Sequence, residues 1–261
     1  MFKRSLISPA ITYVPIRTSR KSAPFNLGDL VDANVGPELR DGDILVISSK
    51  FIAISEGRVV DLASVVPSDL AISEAGRLNM SPELCELVIR ESDDVIGGVS
   101  GFMLALKEGL LTPNAGIDKS NIGHGKVVLY PRSPLESATA LVEEVRFRRG
   151  VEVGVVVSDS RLMPTRKGTV GVALAAAGVE AIVDLRGRPD LFGNVLKVTS
   201  QAIADDLCSG AQLVMGEANE SVPIVLVRGL KTSAGRGYRM SSFAVDPEQC
   251  VYMRSLGYRA R

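Results

Sequence analysis

The sequence predicts a protein of mixed α and β structure, with strands and helices interspersed. Three observations predict it: short apolar, β-branched runs bounded by turn residues, helix-spaced apolar positions between them, and no repeat or low-complexity linker. Strands and helices alternate too often for a bundle or a sandwich.

The elements follow in chain order. "DILVISS" (Asp43 to Ser49) has strand length and composition, and Lys50 stands at its carboxyl end. In "SPELCELVIRES", Ser81 is placed to cap a helix whose first position is Pro82, with Leu84, Leu87 and Val88 on one face. "KVVLYP" (Lys126 to Pro131) reads as a further strand. "PLESATALVEEVRFRR" carries Leu135, Ala138, Leu141, Val142 and Val145 at helical spacing. Val153 to Val157 is the kind of run found in strands covered on both faces. Ile203, Leu207, Ala211 and Val214 give "SQAIADDLCSGAQLVMGEA" a helical stripe, and "VPIVLVRG" (Val222 to Gly229) is a last strand.

Composition narrows the function. With 261 residues the chain can bury a real core, as one large unit or two smaller ones. Thirty Lys and Arg balance thirty Asp and Glu, so no net field draws nucleic acid or an acidic membrane, and any anionic ligand needs a local cluster. The longest apolar runs fall far short of the ~20 residues that span a bilayer. "MFKRSLISPA" has no long apolar core or small-residue cleavage site, so a cytoplasmic protein is expected. Cys85, Cys208 and Cys250 fit neither a disulfide framework nor a zinc knuckle, and Cys85 and Cys208 fall in expected helices as buried, inert thiols. A Ser-His-Asp or Cys-His scheme would depend on His124, the single histidine. Without Trp and with 5% aromatics, no base-stacking platform is expected.

Chemistry concentrates where apolar elements end. "VVVSDSRLMPTRKGTV" sets Asp159 at the expected carboxyl end of a strand, with Arg161, Arg166 and Lys167 close behind. A carboxylate followed by cations suits a metal and phosphate site; an Asp turn and a solvated basic loop is the other reading. Asp118 stands in "TPNAGIDKSN" and Glu217 in "LVMGEANE", just past a helix. Mg2+ and Mn2+ sites take a few carboxylates and leave other positions to water and phosphate, so single acids in separate loops are what such a site shows; unrelated surface charges are the alternative. Lys50 either meets a phosphate or is simply solvated. No GxxxxGK[ST] or strand-linked GxGxxG is present. Gly168 and Gly171 in "RKGTVGVALAAAG" either bring backbone amides to a ligand or serve close helix packing.

Several of these strings together resemble one family. "DGDILVISSKFIAISEGRVVDL", "TPNAGIDKSN", "VVVSDS", "RKGTVGVALAAAG", "DLRGRPDLFGNVLKVT" and "AIADDLCSGAQLVMGEA", in order from about Asp41 to Gly229, are similar to the coenzyme F420-0:L-glutamate ligases. These gamma-glutamyl ligases extend the tail of the deazaflavin coenzyme F420. The resemblance implies a GTP-dependent amide ligation. The terminal carboxylate of F420-0 is phosphorylated by GTP, and the amine of L-glutamate displaces phosphate. It also implies the family's own α+β fold and a homodimer with sites near the subunit interface.

Matched motif by motif, the resemblance makes Asp118 and Asp159 metal ligands, with Glu217 a third. Ser160 supplies a hydroxyl beside the metal where the family has Thr. Lys50 and Asn114 lie by the nucleotide or its phosphates and Arg166 and Lys167 face anionic groups on the acceptor, with Lys50, Asn114, Lys167 and Gly168 the expected cofactor-binding residues. Asp159, Ser160 and Arg166 are the expected catalytic set, with Mg2+ or Mn2+, GTP as co-substrate and K+ as a further candidate ion. Asp184 and Arg186 are either part of the site or a structural ion pair. The ligase-like unit is expected over 1–230, as one unit or two subdomains, followed by a basic extension over 231–261 with six Lys or Arg against two acids.

Two segments depart from the family. "SDSRLMPTR" keeps Pro164 and Arg166 but lacks the Phe, Gly and Trp of the usual Phe-Gly-Arg-Pro-Trp-Arg run, and "SAPFNLGDLV" keeps only the Pro and the Gly-Asp of the usual N-terminal turn. Both fall on ligand contacts. The alternatives are therefore the same ligase chemistry on another acceptor, or a non-catalytic nucleotide-binding relative that binds without turnover.

Overall fold

Val, Ile and Leu runs form the strands because branched side chains suit a pleated, covered surface. The computed structural model describes residues 10–230, 237–238 and 242–258. Residues 1–9 and part of the expected 231–261 extension lie outside the described residues. The chain runs β1 (Thr12–Ile16), α1 (Leu27–Asn34), β2 (Ile44–Ser48), α2 (Ser49–Ser55), β3 (Val59–Asp61), α3 (Asp69–Leu78) and α4 (Pro82–Glu91). It continues through β4 (Asp94–Val99), β5 (Phe102–Lys107), β6 (Leu110–Pro113), β7 (Lys126–Val128), α5 (Pro134–Arg149), β8 (Gly154–Leu162) and β9 (Thr169–Ala177). Then come β10 (Val183–Asp184), β11 (Ser200–Gln201), α6 (Ile203–Met215), β12 (Ile224–Arg228) and α7 (Val251–Ser255).

Five strands make the main sheet in the order β1-β12-β2-β8-β9; β2 and β8 are parallel and the other neighbours antiparallel. Side chains alternate across it. Leu45, Ile47, Val155 and Val157 pack with Leu141 and Val145 of α5, whereas Ile44, Val46 and Val156 meet Leu207, Cys208 and Ala211 of α6. With both faces covered, the strands read as unbroken apolar runs, as the sequence predicts for Val153 to Val157. A second layer, the β4-β5-β6 meander under α3 and α4, encloses its own core of Leu78, Leu84, Cys85, Val88 and Met103. The antiparallel pair β3 and β7 lies alongside it.

The helix signals translate directly. The Ser81 hydroxyl accepts a bond from the Leu84 amide at 3.3 Å, and Pro82 opens α4. Ala138, Leu141 and Val145 are buried on α5, and Leu207 and Ala211 on α6. Cys85 and Cys208 are buried in α4 and α6, and burial pushes both thiols up, away from the nucleophilic thiolate.

Strand ends differ from expectation. β2 stops at Ser48, so Ser49 and Lys50 open α2 rather than finish a strand. β7 stops at Val128. β8 runs on through Asp159 to Leu162, because "SDSRL" pairs with β9, Asp159 opposite Val172. Asp159 therefore lies inside a strand. It is nevertheless the first residue past the parallel pairing with β2, which ends at Ser48 and Ser158. Gly171 is a packing glycine: a Cβ there would sit 2.4 Å from the Cys208 carbonyl oxygen of α6.

Candidate active site

Where β2 and β8 part, both chains turn polar and a cleft of about 700 Å3 opens. Its walls are the start of α2, the stretch from Gly116 to Asn121, the polar end of β8, and the chain following α6. Asp118 reaches the cleft because its backbone forms an antiparallel bridge with Val128 of β7.

Each carboxylate of the cleft has defined partners. Lys50 Nζ lies 2.6 Å from Asp118 Oδ2 and also donates to the Ser120 hydroxyl at 2.7 Å. The Ser120 amide donates to Asp118 Oδ1 at 2.6 Å. Asp159 is held from two sides, Ser49 Oγ donating to Oδ1 at 2.9 Å and Arg161 Nε to Oδ2 at 3.0 Å. Arg161 lies two residues along β8 from Asp159 and so on the same face, and its Nη2 donates to the Tyr130 hydroxyl at 3.1 Å. Burial pushes the Tyr130 phenol well above its ordinary pKa, so it stays a neutral hydroxyl. Glu217 accepts from Ser160 Oγ at 2.8 Å, from Thr169 Oγ1 at 2.6 Å and from the Gln212 amide, tying the end of α6 to β8 and β9.

The fold thus brings Lys50, Asp118, Asp159, Ser160 and Glu217 to one cleft. It does not bring Asn114, Arg166, Lys167 or Gly168 into that lining. Asn114 Oδ1 accepts from the Met103 amide at 2.9 Å, a bond within the second layer. Arg166 and Lys167 are exposed in the turn between β8 and β9, which Gly168 helps reverse at φ +87°. His124 is exposed and also outside the lining. Asp184 and Arg186 pair with each other at 2.6 Å, and the Arg186 guanidinium holds the Asp184 carboxyl down at about 2.

Sequence reasoning missed Ser49 and Tyr130 as partners of the site and left Arg161 among a group of loop cations. Arg161 was findable, since two positions along a strand return to the same face. Nothing local marks Tyr130, which meets Arg161 only through tertiary packing.

The donor set suits a hard divalent ion in kind: carboxylates and hydroxyls, with no thiol or imidazole in the lining and a single thioether, that of Met215. Among the described residues no three Asp, Glu, His or Cys side chains form a ready cluster. Asp118 and Asp159 would hold such an ion together with a substrate phosphate, not as a closed protein cage. Among the described residues no helix is long and apolar enough to cross a membrane.

The family model described as F420-0:Gamma-glutamyl ligase matches residues 22–229. This chain belongs to that family. The F420-0:gamma-glutamyl ligase match covers the whole cleft lining except Thr18, Ser19, Arg20 and Lys21, and both departing segments fall inside it. A Methanopyrus kandleri relative named Coenzyme F420:L-glutamate ligase is 36% identical over 230 residues, 87% of this chain and 90% of its own length. A Methanocaldococcus jannaschii protein of the same name is 40% identical over 200 residues, 76% of this chain and 80% of its own. The Archaeoglobus fulgidus relative, named likewise, is 35% identical over 226 residues, 87% and 90% of the two chains.

Proposed function

We propose that this chain is a ligase that joins L-glutamate to the terminal carboxylate of F420-0, driven by GTP with Mg2+ or Mn2+. The observation that carries the reading is the convergence of Lys50, Asp118, Asp159, Ser160 and Glu217 on one cleft in a chain of this family. The names of the relatives supply the substrates.

A carboxylate is a poor electrophile, so the acceptor must first be activated. Its oxygen attacks the γ-phosphorus of GTP, a new P–O bond forms, and the bond to the GDP oxygen breaks. The glutamate amine then attacks the acyl carbon; inorganic phosphate leaves and the amine loses a proton. When bound, the divalent ion neutralises phosphate charge. The residues do the holding. Lys50 is a mobile cation that can exchange Asp118 for a phosphate oxygen, Asp118 and Asp159 are the ion ligands, and Ser160 offers a hydroxyl beside them. Glu217 fixes Ser160 and Thr169 in place. Positioning of this sort can remove about 7–11 kcal/mol from a bimolecular barrier. Arg166 and Lys167, exposed between β8 and β9, meet anionic groups of the acceptor from outside the cleft. A homodimer is part of the same reading.

Purified protein with F420-0, L-glutamate, GTP and Mn2+ or Mg2+ should give F420-0 heavier by one glutamate residue, as read by mass spectrometry. The gain should vanish without GTP or with a chelator. Metal-dependent GTP binding with no gain would reject this acceptor and favour another, a reading to which the half-exposed Leu162 and Met163 beside Arg166 lend an observation.

A further inference from the structure

Of the two arginines in "SDSRLMPTR", the fold leaves Arg166 exposed and buries Arg161, whose side chain is only 6% exposed. A buried guanidinium is tolerated only when paired and hydrogen-bonded. Arg161 meets that requirement with a planar fork: Nε donates to Asp159 Oδ2, and Nη2 to the Tyr130 hydroxyl. Tyr130 is itself pinned, because its carbonyl accepts from Arg58 Nε at 2.9 Å and Arg58 pairs with Glu91 of α4 at 2.7 Å. Ser49 holds the other Asp159 oxygen. Donors on both oxygens fix the plane of the carboxylate, while each oxygen keeps a further lone pair.

We propose that Arg161 is a positioning residue: locked by Tyr130, it sets the orientation of the Asp159 carboxylate and through it the affinity of the cleft for a divalent ion. The inference rests on the reading of Asp159 as an ion ligand. A merely charge-balancing arginine would be replaced by lysine without consequence. A fork that aligns the carboxylate would not, since an ammonium cannot reach Asp159 and Tyr130 in one fixed plane. Residues that orient metal ligands typically contribute 10- to 100-fold in metal affinity.

The test is Mn2+ binding by the full chain, with and without GDP, followed by the electron paramagnetic resonance signal of free Mn2+. Arg161→Lys should weaken binding about tenfold or more. Tyr130→Phe, which removes only the hydroxyl that locks the guanidinium, should weaken it less but in the same direction. Asp159→Asn should abolish the site. Circular dichroism checks folding, and should Arg161→Lys fail to fold, Tyr130→Phe carries the test. Native affinity in Arg161→Lys and Tyr130→Phe, with binding lost in Asp159→Asn, overturns the inference and leaves the ion reading standing. If native protein binds no Mn2+ under either condition, or Asp159→Asn binds it normally, the ion reading fails and this inference falls with it.

Discussion

Lys50 and Arg161 are both paired to cleft carboxylates, but burial gives the two pairs opposite characters. The side chains of Lys50 and Asp118 are 23% and 40% exposed, so their pair is screened by solvent and contributes about 0–1 kcal/mol. Lys50 can therefore leave it at little cost. Arg161 and Asp159 are 6% and 16% exposed, and removing one partner of such a pair costs about 3–5 kcal/mol. Arg161 therefore stays put. Away from the cleft, Glu86 shows the same logic as a stability effect. Its carboxylate accepts from the Ser68 hydroxyl and amide and from Arg90, which holds its pKa at about 2 against an ordinary 4.5. A depressed folded pKa means that the contribution is complete above pH 4.5 and is lost as the pH falls towards 2. Urea unfolding between pH 7 and pH 2.5 should show Glu86→Gln less stable than the native chain at neutrality, with the gap closing on acidification. A constant gap would reject the assignment.

At the scale of elements, β8 carries the site because it changes partners. Up to Ser158 it pairs with β2 on one side and β9 on the other; beyond that, among the described residues, only β9 remains, with a register shift at Val157 and Ser158. A bulge of this kind re-aims side chains, and here it coincides with the start of the polar run. The apolar half of β8 was legible because composition alone marks a covered strand. Its polar half was not, because "SDSRL" has the residues of a turn and becomes a strand only by pairing with β9. β9 in turn holds α6 through Gly171. Gly171→Ala would drive a methyl group into the Cys208 carbonyl, and urea denaturation should show a loss of about 1–3 kcal/mol. An unchanged midpoint would show that α6 can shift freely.

Over the whole molecule, the cleft draws residues from both layers, and Arg58 is a tie between them. It joins Glu91 of α4 to the Tyr130 carbonyl, and Tyr130 belongs to the core of the main sheet. Arg58→Met should loosen the second layer first. Hydrogen exchange read by mass spectrometry should accelerate across α3, α4 and β4 to β6 while β2, β8 and β12 stay protected. Equal acceleration in both layers would mean that they unfold as one unit.

The sequence by itself determined the mixed α and β character, the long helices with the Ser81 cap, the buried runs of β2, β8 and β12, and the carboxylates Asp118, Asp159 and Glu217 with Lys50 as residues of interest. These are local properties, carried by periodicity, turn chemistry and recurring strings. Only the tertiary structure decided which of the candidates share a space. It kept Lys50, Ser160 and the three acids and left Asn114 in the second layer. It separated buried Arg161 from exposed Arg166 and recruited Ser49 and Tyr130. The reason is physical: the partner of a buried charge is chosen by packing between segments far apart in the chain, and burial, which decides whether a pair is fixed or exchangeable, does not exist until those segments meet.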